Sequence, residues 1–126
     1  MFELTVSSEF CAAHALSIKG LTEPVHGHNF RVTAKIAGPG LDNDGLLCDF
    51  HEVERALKQV IEPLHNRNLN EAEPFKSVNP SAENIARHIA DRLSTLLGPS
   101  LGSIARVRCV QVTEAPGCSA TYAVGT

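Results

Sequence analysis

The sequence lacks a basic excess, since it has 11 Lys and Arg against 14 Asp and Glu and a net charge of −3 in 126 residues. Nucleic-acid binding needs clustered positive charge, and the pair in Arg106-Val107-Arg108 is too short to supply it, so no nucleic-acid partner is expected. No apolar run approaches the ~20 residues of a membrane helix, so no membrane partner is expected either. Residues 1–6 show no basic leader before an apolar run, which predicts a cytoplasmic protein.

The sequence also lacks any Cys-x-x-Cys pair. Its four cysteines are isolated, so a cysteine-rich structural zinc site is not expected, and reduced thiols fit the predicted compartment. There is no internal repeat, low-complexity tract or linker. Residues 1–126 are therefore predicted to form one domain. Such a domain is small for an enzyme that must enclose its substrate alone, and an oligomer with sites between subunits would solve that.

Three histidines are the most informative residues present: His14, His26 and His28. Side chains alternate between the two faces of a strand, so His26 and His28 share a face with Phe30, and His14 has the parity of Phe10. If the two segments form an antiparallel hairpin, all three imidazoles converge. Three imidazole ligands with one open position are a usual catalytic zinc arrangement. The pattern predicts a zinc site, and the alternative is that these are ordinary core or surface histidines.

Turn residues and apolar periodicity divide the rest of the chain. Helices are predicted over 49–63, capped by Asp49, and over 80–98, where Gly98-Pro99 should stop the second one. Strands are predicted over 104–113 and 118–124. The order indicates an α+β fold, with a four-stranded antiparallel sheet and both helices on one face (ββααββ). The other face then needs cover, for which subunit association is the natural source.

Two further histidines fall on the predicted helices. His51 and His88 lie away from the other motifs in the sequence, and both are expected to be solvated.

Six segments carry a family resemblance and span almost the whole chain in the family's order. They are Phe10-Cys11-Ala12-Ala13-His14, His26-Gly27-His28-Asn29-Phe30, Gly45-Leu46-Leu47-Cys48-Asp49-Phe50, Asn68-Leu69-Asn70, Asn79-Pro80-Ser81-Ala82-Glu83-Asn84, and Val112-Thr113-Glu114 with Tyr122. They resemble the 6-pyruvoyltetrahydropterin synthase and 6-carboxytetrahydropterin synthase family. The resemblance implies the tunnelling fold, in which a trimer closes a twelve-stranded barrel. Two trimers then stack into a homo-hexamer with active sites between subunits.

The resemblance also implies roles for single residues. In this family the residues matching His14, His26 and His28 bind Zn²⁺, which holds the side-chain oxygens of 7,8-dihydroneopterin triphosphate and acidifies the neighbouring carbon. The residue matching Glu114 anchors the pterin, because a carboxylate accepts two parallel N–H bonds. Without the resemblance, Glu114 is interpreted as a solvated carboxylate at a strand end. Three more residues are expected to complete the pterin pocket: Ser81, Ala82 and Thr113.

The chain departs from the family at the catalytic residues. Synthases that make pyruvoyl or carboxy products use a Cys four residues before the first His of His-Gly-His, and that position here is Thr22. The Asp and His that activate this Cys are matched by His65 and Asn66. A threonine hydroxyl is too weak an acid to replace a thiol, so the standard Cys-Asp-His triad is absent.

The residue next to Thr22 is Glu23, and the stretch from Glu23 to His28 resembles the subgroup in which Glu replaces the catalytic Cys. Members of that subgroup cleave the substrate side chain to give 6-hydroxymethyl-7,8-dihydropterin, a folate precursor. The resemblance implies that Glu23 is a general base, and the alternative is a simple loop carboxylate. His65 is predicted to assist proton transfer, or else to be a cation at a helix C-terminus.

Three functional hypotheses remain open at this point. The leading one is a zinc-dependent pterin lyase acting on 7,8-dihydroneopterin triphosphate or a related dihydropterin. The second is a 6-pyruvoyl- or 6-carboxy-tetrahydropterin synthase with altered catalytic residues. The third is a pterin- or purine-binding homologue that has lost catalysis. The missing triad favours the third hypothesis, whereas the three histidines and Glu23 oppose it.

Overall fold

The computed structural model describes residues 1–125. Its strands, in chain order, are β1 (Phe2–His14), β2 (Ser17–Ile18), β3 (Leu21–Thr22), β4 (His26–Gly38), β5 (Arg67–Asn68), β6 (Arg106–Ala115) and β7 (Cys118–Ala123). Its α-helices are α1 (Phe50–Ile61) and α2 (Ala82–Leu101), and short 3-10 helices cover Glu62–Leu64 and Leu69–Glu71. The chain is therefore α+β, as predicted.

One mixed sheet holds five of the strands in the order β5-β1-β4-β6-β7. The four long strands, β1, β4, β6 and β7, pair with one another antiparallel, and β1 pairs with β4 without interruption from Phe2 opposite Gly38 to His14 opposite His26. The structure adds a fifth strand to the predicted four, because β5 pairs in parallel with β1 at Ala12 and Ala13. Strands β2 and β3 form a separate hairpin beside this sheet.

The even-numbered face of β1 and β4 forms the core with both helices. Phe10 and Phe30 are buried there, and their rings stack with centroids 5.0 Å apart. The alternation of apolar and polar residues dictates this, since only one face of each strand can meet the helices. Burying each such side chain stabilises the fold by roughly 1.5–3 kcal/mol. The helices contribute the buried residues Val53, Leu57, Val60, Ile85, Ile89 and Leu93 to the same cluster.

The opposite face of the sheet is polar rather than apolar. Cross-strand pairs there form hydrogen bonds, with Ser7 Oγ 3.3 Å from Thr33 Oγ1 and Gln111 donating to Ser119 Oγ at 3.2 Å. Water satisfies such a face as well as a protein partner does. This face of the sheet therefore does not require cover by another subunit on account of its composition.

Helix α1 begins after Asp49 as predicted, whereas α2 begins at Ala82, two residues after the predicted start at Pro80. The Asp49 carboxylate accepts from the His51 N–H at 2.9 Å, and Ser81 Oγ accepts from the Asn84 N–H at 3.1 Å. The predicted stop at Gly98-Pro99 is wrong, because α2 continues to Leu101 and Pro99 lies inside its last turn. Within residues 1–125, neither helix is long and apolar enough to cross a membrane.

Of the two histidines on the helices, only His51 is solvated as expected. His51 is exposed on α1, whereas the His88 ring packs edge-on against Phe75 with centroids 5.5 Å apart. Burial lowers the pKa of His88, and the nearby Arg92 cation lowers it further.

Candidate metal centre

The hairpin of β1 and β4 brings three imidazoles together at one end of the sheet. His14 lies opposite His26, and His28 lies opposite Ala12, two residues before His14. The ligand atoms of the three rings lie within 4.8 Å of one another. The His14 side chain is 0 % exposed, that of His28 is 20 % exposed and that of His26 is 41 % exposed. The cluster is therefore closed on the core side and open on the other.

Backbone carbonyls fix the tautomer of two of these rings. His14 Nδ1 lies 2.7 Å from the Pro80 carbonyl oxygen, and His26 Nδ1 lies 3.0 Å from that of Pro24. A carbonyl only accepts, so each Nδ1 carries a proton, and the lone pair of the neutral ring is then on Nε2. Metal-binding histidines are commonly held in this way.

Two of the Nε2 atoms are buried without a partner. Among the described residues, Nε2 of His14 and Nε2 of His28 have no hydrogen-bond partner. Burial is the main cause that lowers the pKa of His28, and it outweighs the opposing effect of the Glu114 carboxylate. Neutral, unpartnered imidazole nitrogens are what Zn²⁺ binds, so the donor set fits this metal.

Glu114 lies directly beside the imidazoles. Its Oε1 is 3.1 Å from His14 Nε2 and 3.8 Å from His28 Nε2. The residue follows Thr113 near the end of β6, where the register with β7 shifts. Glu114, Thr113 and His28 line one cleft of about 510 Å³, together with Arg31. This volume lies within the range of ~300–1,000 Å³ typical of small-molecule sites.

Glu23 lies on the other side of the cluster. Its Oε1 accepts the Leu16 N–H at 3.1 Å and lies 3.7 Å from His26 Nε2. The Glu23 N–H donates back to the Leu16 carbonyl at 3.0 Å, which closes the β2–β3 hairpin. The carboxylate is therefore held near the imidazoles rather than free in a loop. Thr22, beside it, is exposed, and its hydroxyl lies 3.0 Å from that of Ser17.

Two asparagine side chains hold the segment that joins His14 to this hairpin. Asn70 accepts from the Ala15 N–H and donates to the Ala15 carbonyl, both at 2.8 Å. Asn79 does the same with Ser17, at 2.9 and 3.0 Å. Each side-chain amide thus makes the two backbone hydrogen bonds that a neighbouring strand would otherwise make. Sequence reasoning missed this role, although both residues belong to segments that resemble the family.

Three predicted site residues lie outside the cleft. Ser81 uses its hydroxyl to cap α2, Ala82 is the first residue of that helix, and neither lines the cleft that contains Glu114. His65 Nδ1 accepts the Cys11 N–H at 3.2 Å. Cys11 precedes His14 by three residues, or about 10 Å along a strand. Within one chain, the structure does not bring His65 to the imidazole cluster.

Comparison with known proteins gives a consistent result. The family model described as 6-pyruvoyl tetrahydropterin synthase matches residues 3–124. A protein of Archaeoglobus fulgidus, provisionally named 6-carboxy-5,6,7,8-tetrahydropterin synthase, is 33% identical over 89 residues, which cover 71% of this chain and 73% of the relative.

Solved structures agree on the fold. The 6-pyruvoyl tetrahydropterin synthase of Caenorhabditis elegans superposes with a TM-score of 0.84 at 23% identity, covering 98% of this chain and 96% of that one. The Plasmodium vivax 6-pyruvoyltetrahydropterin synthase, in a mutant whose catalytic glutamate is replaced by alanine, gives a TM-score of 0.78 at 24% identity over 96% of each chain.

Proposed function

The chain belongs to the 6-pyruvoyl tetrahydropterin synthase family, and from this premise we propose that it is a zinc-dependent pterin lyase. The proposed substrate is 7,8-dihydroneopterin triphosphate or a related dihydropterin, and the proposed product is 6-hydroxymethyl-7,8-dihydropterin. The observation that carries the proposal is a cluster of three imidazoles with a carboxylate on either side, Glu23 at 3.7 Å and Glu114 at 3.1 Å from the nearest Nε2.

The three histidines are the proposed zinc ligands. His14 and His26 have their Nδ1 protons engaged by carbonyls, so their Nε2 atoms, with that of His28, form the donor set. Zinc bound there would polarise the side-chain oxygens of the substrate and stabilise negative charge that develops on them.

Glu23 is the proposed general base. Its carboxylate removes the proton from the 2′-hydroxyl of the substrate, and the bond between C1′ and C2′ breaks as in a retro-aldol reaction. The C2′ oxygen becomes a carbonyl, and the electron pair left at C1′ takes up a proton. The hydrogen bond from the Leu16 N–H holds the base in position. The catalytic glutamate of the Plasmodium vivax enzyme supports a carboxylate in this role.

Glu114 and Thr113 are the proposed contacts for the pterin ring. The cleft that they line reaches His28, so a ring bound there would place its side chain toward the imidazoles. A carboxylate matches two adjacent N–H groups of the ring with two parallel hydrogen bonds. The location of this cleft supports the assignment of Glu114 and gives no support to Ser81 or Ala82.

The proposed assembly is a homo-hexamer of two trimers, each closing a twelve-stranded barrel. Among residues 1–125, strand β7 pairs only with β6, and the outer side of β1 is covered only near its C-terminal end, from Cys11 to Ala13, so both edges are available. In the sheet β1 and β7 run in opposite directions, which suits antiparallel pairing between copies. His65 lies at the β1 edge, so its proposed part in proton transfer would be played across a subunit boundary.

A second function, that of a 6-pyruvoyl- or 6-carboxy-tetrahydropterin synthase with altered catalytic residues, is favoured by the names of the relatives. The Archaeoglobus fulgidus relative carries the name of a 6-carboxy-tetrahydropterin synthase. Against it, position 22 holds a threonine whose hydroxyl meets Ser17 in the hairpin.

Product analysis tests these alternatives. Zinc-loaded protein is incubated with 7,8-dihydroneopterin triphosphate, and the products are separated by chromatography. Hydroxymethyl pterin supports the lyase, a pyruvoyl or carboxy pterin supports the second function, and unchanged but bound substrate indicates an inactive binding protein. Glu23→Gln is expected to lower turnover by about 10²–10⁴-fold with zinc content unchanged. Glu54→Gln, an exposed carboxylate on α1, is the matched control and should retain full turnover.

A further inference from the structure

The Glu114 carboxylate lies against the imidazole nitrogens that would bind the metal. The Pro80 carbonyl accepts a hydrogen bond from His14 Nδ1, and the other ring nitrogen, Nε2, lies 3.1 Å from Glu114 Oε1. This Nε2 is buried and has no hydrogen-bond partner among residues 1–125. A metal ion bound to it would therefore have the carboxylate within reach.

We propose that Glu114 is a fourth protein ligand to the zinc while the pterin cleft is empty. Ligand atoms bound tetrahedrally at 2.0–2.2 Å lie about 3.4 Å apart. The two observed separations, 3.1 Å to His14 Nε2 and 3.8 Å to His28 Nε2, bracket this value.

The other carboxylate near the imidazoles is a poorer ligand. Glu23 Oε1 already accepts the Leu16 N–H, and the structure places it within 4 Å of one imidazole nitrogen only, that of His26. Glu114 accepts no hydrogen bond from another described residue and is close to two ring nitrogens. Glu114 is therefore better placed than Glu23 to bind a metal ion.

This inference rests on the proposed zinc site and adds an exchange to it. A carboxylate bound to zinc cannot at the same time present both oxygens to the N–H groups of a pterin. Arrival of the ring would draw Glu114 away from the metal and free a coordination position for the substrate side chain. Zinc would thus be held by four protein ligands at rest and by three during turnover.

Cobalt substitution tests the proposal without any measurement of activity. Protein stripped of metal is titrated with Co²⁺, whose visible spectrum reports ligand type and number, and affinity is obtained by competition with a chelator. Glu114→Gln is expected to weaken binding by about tenfold or more and to change the spectrum. Glu23→Gln and Glu9→Gln are controls: Glu9 lines the same cleft but pairs with Arg31, and both variants should bind Co²⁺ as the unmodified protein does. Circular dichroism establishes that each variant is folded.

In a second experiment, unsubstituted pterin is added to the Co²⁺-loaded protein. Its concentration is one at which the change in pterin fluorescence on binding is saturated. The spectrum is expected to shift toward that of Glu114→Gln. Equal Co²⁺ affinity and identical spectra for the unmodified protein and Glu114→Gln would overturn the proposal and leave the zinc site intact. The proposal would also be overturned if bound pterin did not change the Co²⁺ spectrum of the unmodified protein. If the unmodified protein binds neither Co²⁺ nor Zn²⁺, or no pterin, then the proposed function itself is wrong.

Discussion

The His14 ring is hydrogen-bonded to the Pro80 carbonyl through Nδ1, and its Nε2 has no hydrogen-bond partner among the described residues. The parity of His14, His26 and His28 predicts from sequence that their rings converge, because a strand repeats every two residues. The partner of His14 could not be predicted in that way. Pro80 lies 66 positions away and offers only a backbone carbonyl, which every residue has. Likewise, nothing in the spacing of Glu114 indicates that its carboxylate lies 3.1 Å from His14.

At the same scale, His88 should make stability depend on pH. Burial, with Arg92 as the next cause, lowers its pKa in the folded state below the ordinary value of ~6.5. The unfolded chain therefore binds the proton more readily, so the contribution to stability is present above about pH 6.5 and is lost as the pH falls through that value toward the folded pKa.

Urea unfolding at pH 7.5 and pH 5.5 measures this effect in the unmodified protein and in His88→Gln, at one fixed protein concentration. We expect acid to destabilise the unmodified protein more than the variant, because only the former must protonate a ring packed against Phe75. His14, His26 and His28 are present in both proteins, so their effects cancel in the comparison. An equal loss in both proteins would contradict the prediction.

At the scale of elements, the long strands and helices were predictable and the short ones were not. The segments around Phe10 and Phe30 alternate over many residues, and Asp49 caps a helix with a clear apolar stripe. Strands β2, β3 and β5 have two residues each, too few to show any period. They exist because tertiary contacts hold them, β5 through pairing with Ala12 and Ala13.

The Asn70 side chain is such a contact and gives a second prediction. It makes two hydrogen bonds to Ala15, which is buried and directly follows the proposed zinc ligand His14. Asn70→Ala leaves a buried N–H and a carbonyl without partners, which should cost about 1–3 kcal/mol for each unsatisfied group. Thermal or urea unfolding measures the loss.

Asn43→Ala, in an exposed loop, provides the control and should change stability by less than about 0.5 kcal/mol. Asn70→Ala should also lower the affinity for zinc, since the segment after His14 becomes free to move. A variant with unchanged unfolding would show that Ala15 finds other partners.

At the scale of the whole molecule, both edges of the sheet have backbone groups that can pair with a further strand. Unpaired edges of this kind promote association unless something covers them, and closure into a barrel removes them altogether. We therefore expect light scattering to give a mass of three or six times the 13.5 kDa of one chain. A mass of 13.5 kDa at micromolar concentration would contradict both the barrel and the proposed role of His65.

The two asparagine clamps have a consequence for how this protein could diversify. Asn70 and Asn79 grip backbone atoms only, at Ala15 and Ser17, so they place few demands on the side chains from Leu16 to Val25. The imidazoles lie on either side of this stretch, in strands that the core fixes. A reactive side chain placed at another position of this stretch would therefore leave the three imidazoles where they are.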